Sequence, residues 1–207
     1  TLTSLRCQIA GADRADRMAA IEIVARLDLL HLTRAEVLEA AESPDPYVAA
    51  KAARALARLS DVVARRRLTS LVEHKDPRVG ADAIEALDEA GDIGRLDLER
   101  LANHPTPRIR ANTLHAMLHA EPRAAHARAA LAEMLGDERP EHRRSALWLS
   151  QRCAVTEMAD RVAQIVRTDP DEATRARARR CGRRLLAEMR RAWAHPTSKA
   201  FAEGGAS

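Results

Sequence analysis

Two stretches, DPYVAAKAARALARL at residues 45–59 and DPRVGADAIEALDEA at residues 76–90, decide how this chain folds. Each opens on Asp-Pro. The carboxylate of such an Asp accepts from an orphan N–H of the first helical turn, and proline at the first helical position loses nothing, because its missing N–H would have had no partner. Counted from Val48 and from Val79, small or apolar residues fall at offsets 0, 4, 5, 8 and 11: Val48, Ala52, Ala53, Leu56, Leu59, then Val79, Ala83, Ile84, Leu87, Ala90. That is the stripe of a helix that buries one face.

Outward from these two stretches, Pro46, Pro77, Pro107, Pro140 and Pro170 are separated by 31, 30, 33 and 30 residues. Four of the five follow Asp or Thr, so proline marks the phase of successive helix starts. The third stripe is Ile109, Thr113, Leu114, Met117, Ala120. The fourth is looser (His142, Ala146, Leu147, Ser150, Cys153), and the fifth is degraded, as a terminal unit should be (Thr174, Ala178, Arg179, Gly182, Leu185). Ahead of each proline runs a shorter stripe: Val37, Leu38, Ala41; Leu68, Leu71, Val72; Leu98, Leu101, Ala102; Leu131, Met134, Leu135; Val162, Ile165, Val166. Residues 1–32 carry a weaker copy with Ala20, Ile21 and Val24. A single helix pair cannot cover its own apolar face, so neighbours must stack in register. The expected fold is all-α, an α-solenoid or superhelix of about six antiparallel helix pairs with a repeat of ~31 residues. It is expected to run as one array over 1–194, with a flexible tail at 195–207. Four near-equal intervals argue against a helical bundle with accidental spacing.

Asp45-Pro46-Tyr47-Val48 and Asp76-Pro77-Arg78-Val79, with Ala at the same phase and Leu56 or Leu87 beyond, resemble HEAT repeats, and the short period resembles the variety named after phycobilisome lyases. The resemblance covers roughly residues 33–190. It implies a fold more than a function, since proteins with such repeats include adaptors and scaffolds, phycobilin lyases, a di-iron deoxyhypusine hydroxylase and alkylpurine DNA glycosylases. Where the family tends to place Arg after the Asp-Pro-x-Val element this chain has Ala49 and Gly80, with Arg110 and Arg143 in the next two repeats. An inter-repeat ladder built on that Arg would be incomplete.

Aromatic residues make up 2% of the 207, so the core must be built from Ala, Leu, Val, Ile and Met. Those residues favour helix as a set. No run reaches the ~18 apolar residues that cross a bilayer, and Arg6, Asp13, Arg14, Asp16 and Arg17 stand where a signal peptide would be apolar. The segment reads as soluble and cytoplasmic. It opens at Thr1, and an upstream signal, anchor or domain of a longer parent chain is compatible with that start. Cys7, Cys153 and Cys181 fit neither a disulfide framework nor a cysteine zinc site, and read as reduced packing thiols. The net charge of +4 rests almost wholly on arginine, with Lys51, Lys75 and Lys199 the only lysines. Such a skew has the mark of a GC-rich coding bias, which weakens it as evidence for phosphate binding.

With the stripe buried, offsets 3, 6 and 10 of each second helix fall on an adjoining face, which the family resemblance puts on the concave side. The residues are Lys51, Arg54, Arg58; Asp82, Glu85, Glu89; Asn112, His115, His119; Ser145, Trp148, Arg152; and Arg177, Arg180, Arg184. Bands of unlike charge suit a protein partner, because complementary bands fix register and exclude wrong partners. The alternative is a solvated face whose charges pair between neighbouring helices. Trp148 is the best anchor candidate, unless it is a packing residue.

The segment 175–191 carries eight arginines against Glu188 and leaves the rest of the chain net acidic. It could hold phosphate, or it could cap the array with Leu185, Leu186, Met189 and Trp193 packed inward. His115 and His119 lie one turn apart, but zinc needs a third ligand, and no metal or cofactor is assigned. The His-Glu dipeptides of the hydroxylase do not occur. No phosphate-binding glycine loop, activated nucleophile or carboxylate pair stands out, so no catalysis is expected. The expected role is a scaffold for a protein partner. The alternative is a nucleic-acid backbone binder acting through the C-terminal arginines, and possible glycosylase-like chemistry is poorly served by four scattered aromatics.

Overall fold

A computed structural model of the chain describes residues 1–120 and 122–194; the expected tail lies outside them. The described residues form α-helices and short 3₁₀ turns, with no strand: α1 (Leu2–Ala10), α2 (Arg14–Arg26), α3 (Arg34–Ala40), α4 (Pro46–Leu56), α5 (Val62–Leu71), α6 (Pro77–Glu89), α7 (Leu98–Ala102), α8 (Pro107–Leu118), α9 (Ala124–Leu135), α10 (Pro140–Arg152), α11 (Ala159–Thr168) and α12 (Glu172–Ala194). They divide into two compact units, Thr1–Glu121 and Pro122–Ser207.

The first unit holds α1 to α8 as four stacked pairs. Its second helices form one layer, α2 on α4, α4 on α6 and α6 on α8, and each packs on the first helix of its own pair. The expected stripes are the core: Val48, Ala52, Ala53, Leu56, Val79, Ala83, Ile84, Leu87 and Leu114 are fully buried. In the second unit α9 packs on α10, α10 on α12, and α11 on α12. Both units are all-α solenoid repeats.

Pro46, Pro77, Pro107 and Pro140 each begin a helix. Pro170 does not: α12 starts two residues later, behind Asp171, which accepts from the Thr174 N–H at 2.8 Å. The Asp caps at Asp45 and Asp76 accept from Tyr47 N and Arg78 N at 2.9 and 2.8 Å, whereas Thr106 makes no side-chain cap. A second device recurs at the same joint. Two residues before the capping position a side chain accepts the backbone N–H: Ser43 from Asp45, His74 (Nδ1) from Asp76, His104 (Nδ1) from Thr106, Asp137 from Arg139, Asp169 from Asp171. Because Ser, His and Asp all serve, the joint is fixed geometrically while its sequence varies.

The arginine ladder is longer than the sequence suggests. Arg17, Arg110, Arg143 and Arg175 all sit three residues after the helix start, and each reaches back to carbonyls at the end of its own first helix or the loop beyond: Arg17 to Ile9, Arg110 to Ala102, Arg143 to Asp137 and Glu138, Arg175 to Asp169 and Pro170. At the gaps stand Ala49 and Gly80. In place of a reach-back bond, Gly80 lets α6 come so close that a Cβ there would lie 2.7 Å from the carbonyl oxygen of Val72, the counterpart of Ile9 and Ala102. Glycine-to-alanine in a helix ordinarily stabilises by up to ~1 kcal/mol. Here the backbone clash outweighs that gain, and Gly80→Ala is expected to lower stability by about 1 kcal/mol, measured by urea titration. A rise in stability would show that the two helices can part without loss.

The ends of α2, α6 and α10 share a left-handed residue: Asp28 (φ 56°), Gly91 (φ 73°) and Ala154 (φ 50°). The next N–H closes a six-to-one bond back onto the helix, Leu29 to Val24 O, Asp92 to Leu87 O and Val155 to Ser150 O. This is the Schellman closure. It turns the chain into a 3₁₀ turn before the next pair.

Candidate polar strip on the second helices

In the first unit the second helices bring most of the expected strip to one face, and the three offsets have different fates. Offset 3 is turned into the seam between successive second helices. Lys51 bonds Glu22 of α2 at 2.6 Å, Asp82 takes the Arg108 guanidinium of α8 at 2.7 Å, and Asn112 donates to the Ala81 carbonyl of α6 at 2.8 Å. Asp82 is 8% exposed and Asn112 6%. Burial raises the Asp82 carboxyl above its ordinary value in spite of Arg108 and Arg54 nearby. Such groups join one repeat to the next, and only Lys51 among them stays half-exposed.

Offsets 6 and 10 are the accessible part. Arg54, Arg58 and Glu89 are exposed; Glu85 is half-buried. Arg54, Arg58 and Glu89 line a groove of about 430 Å³ together with Ile21, Glu22, Ala25, Arg26, Lys51 and Ala55. Glu22 answers both Lys51 and Arg26 and is held below the ordinary glutamate value by the Lys51 hydrogen bond foremost. Among the described residues no carboxylate lies within ion-pair distance of Arg54 or Arg58. His115, half-buried, sits 3.3 Å from Asp88 of α6, and exposed His119 meets its ring edge-on, centroids 5.0 Å apart.

In the second unit Trp148 is half-buried, with the exposed Arg152 guanidinium 5.3 Å from its ring centroid. Arg177, again at offset 3, is half-buried and its Nε is enclosed without a hydrogen bond. Arg180 and Arg184 are exposed, and Arg184 pairs with Glu188 at 3.0 Å. The arginine run is thus partly neutralised. Arg175 and Arg179 share Glu172, and Arg191 also binds Glu188.

Much of the remaining arginine holds repeats together. Arg14 binds the cap Asp45, Arg34 grips the cap Asp61 with bonds of 2.8 and 3.0 Å, and Arg144 binds the cap Asp171 at 2.8 Å. The Arg34 bond, with the Ala64 N–H, lowers the Asp61 carboxyl to about 2 against the opposing effect of burial. The Arg14 and Arg78 guanidinium groups also lie over the exposed Tyr47 ring, 5.2 and 4.7 Å from its centroid. None of these pairings could be read from spacing alone, although their separation of about one repeat is a usable signal.

Two expectations change. Leu185 is buried, but Leu186 is 52% exposed, Met189 44% and Trp193 89%, so the end of α12 does not pack them inward. None of the three thiols is in a disulfide; Cys181 is buried and burial pushes it up to about 11, while Cys7 is exposed. No described helix is long and apolar enough to cross a membrane.

Residues 34–98 match the family described as HEAT repeats, in agreement with the stacked helix pairs. No curated protein matches it. Solved structures similar to it include a designed armadillo repeat protein at 14% identity, TM-score 0.42, covering 89% of this chain and 100% of that one. An engineered protein follows at 17%, TM-score 0.47, covering 90% and 96%. The complex of CpcE and CpcF of phycocyanin lyase from Nostoc sp. matches at 17%, TM-score 0.45, covering 90% and 95%.

Proposed function

We propose that the chain is a protein-interaction module, and that its partner lies along the second helices of the first unit with acidic side chains against Arg54 and Arg58 and basic ones toward Glu85 and Glu89. HEAT repeats recur in scaffolds and adaptors, but the reading rests on one observation. In a unit where most arginines are bound to a carboxylate, Arg54 and Arg58 stand exposed along the groove with no described carboxylate at ion-pair distance. Such a pair supports recognition more than stability, because an exposed cation costs nothing in water and is free to meet a partner's carboxylate, whose attraction steers and orients docking. The order of charge along the strip, cationic then anionic, favours a polypeptide of matching blocks over a uniform polyanion.

The test is anisotropy with a labelled peptide carrying a Glu block followed by a Lys block. Binding is expected to weaken at least tenfold in Arg54→Glu/Arg58→Glu, with unchanged helicity. Random-sequence duplex DNA provides the contrary arm: affinity that falls steeply with salt and survives that double variant would move the function to nucleic acid and the second unit's arginines. Equal binding of the block peptide by both proteins would remove the strip from the account.

A further inference from the structure

Helix α12 carries two stripes. Thr174, Ala178, Cys181 and Leu185 are buried. Gly182, Leu186, Met189 and Trp193, spaced by 4, 3 and 4 residues, form a second face. That is the spacing of a helix that packs on something. Gly182, Leu186 and Met189 of this face, with Val162, Ala163 and Val166 of α11, floor an open groove of about 500 Å³ that Arg167, Arg179 and Arg183 also line, with Asp160 the one lining acid; Trp193 follows one turn beyond Met189. Gly182 keeps the floor deep: a Cβ there would meet Val162 Cγ1 at 3.7 Å, an ordinary contact, so a side chain would fit and would shallow the groove. Arg179 already shares Glu172, but no described carboxylate pairs with Arg167 or Arg183.

We propose that the α11–α12 groove receives an amphipathic helix of a partner protein, with apolar residues at i, i+3 or i+4 and i+7 on the floor and Asp or Glu along its flanks. The apolar floor defines the helix face, as in other helix-in-groove recognition. The arginine margin defines the flanking charge. A second copy of this chain offers the wrong chemistry, because its own stripe is bordered by the same arginines and self-docking would set like charges against each other. Nucleic acid would use the arginines and leave Leu186, Met189 and Trp193 without a role.

The probe is a fluorescein-labelled peptide of about three heptads with Leu on one face and Glu on both flanks, titrated against the whole chain by anisotropy and tryptophan emission. Saturable binding with a blue shift of emission is expected, the shift being absent in Trp193→Ala. Leu186→Ser/Met189→Ser should weaken binding at least tenfold, and Arg167→Glu/Arg183→Glu should transfer preference to a Lys-flanked peptide. All the altered side chains except Arg167 lie on α12 and carry none of its buried stripe, and unchanged circular dichroism checks the fold. The proposal is overturned by absent saturation, by equal binding of Glu- and Lys-flanked peptides, by duplex DNA that binds regardless of Leu186→Ser, or by a dimer in solution that Leu186→Ser dissolves. Arg54→Glu/Arg58→Glu should leave this binding unchanged, so the groove and the strip of the first unit stand or fall separately.

Discussion

Asp169→Asn is expected to lower the stability of the second unit by about 3 kcal/mol, a drop of roughly 15 °C in the midpoint of thermal unfolding. Asp169 and Arg143 are each 7% exposed and joined by two bonds, Nε to Oδ2 at 2.6 Å and Nη2 to Oδ1 at 2.8 Å. Asparagine keeps the shape and can still accept from the Asp171 N–H, so the loss isolates a buried guanidinium without its counter-charge. Replacing both, as Arg143→Met/Asp169→Leu, should restore part of the stability. It should not restore all, because Arg143 also satisfies the carbonyls of Asp137 and Glu138 at 2.8 Å. The pH dependence has a definite sign. Burial pushes the Asp169 carboxyl up, but the Arg143 guanidinium more than reverses this, leaving it below the ordinary value. Its contribution is therefore complete above the unfolded aspartate value near 4 and is lost as pH falls through the lower folded value. The variant should show a shallower acid limb, and an unchanged limb would mean that Asp169 does not carry the charge in the folded state.

Leu87→Ala is expected to cost about 3 kcal/mol in urea titration. Leu87 is fully buried in α6, which packs on α4, α5 and α8. The loss should spread, because in a repeat array each pair is stabilised largely by its neighbours. Amide exchange is expected to accelerate together across α4 to α8, whereas Ile9→Ala at the start of the array should loosen α1 first and leave α6 protected. Acceleration confined to α6 would contradict a core continuous through the first unit.

The period, the helix pairs and the buried stripes were legible because proline and small apolar residues report directly on backbone phase. Of the fifth stripe Thr174, Ala178 and Leu185 are buried although Pro170 precedes its helix by two residues, whereas Arg179 is exposed and Gly182 half-buried. What the spacing could not supply was the neighbour of each position. Offsets 3, 6 and 10 share a helix face, yet successive second helices approach closely enough to enclose Asp82 and Asn112 while Arg58 and Glu89 stay in water. The capping reading of α12 put Leu186, Met189 and Trp193 inside, but only the other stripe of the helix is buried. Arg17 escaped notice as part of the ladder because the first repeat lacks the Asp-Pro signal, although its distance from the helix start matches Arg110 and Arg143.

Tyr47, 46% exposed with Arg14 and Arg78 against its ring, gives the molecule an optical division of labour. Tyr47 is the lone tyrosine of the chain and belongs to the first unit, while both tryptophans, Trp148 and Trp193, belong to the second. Second-derivative ultraviolet absorbance at the tyrosine band and emission excited at the tryptophan edge would therefore follow the two units individually in one unlabelled sample, and any difference in their melting would be read without a dye or an added mutation.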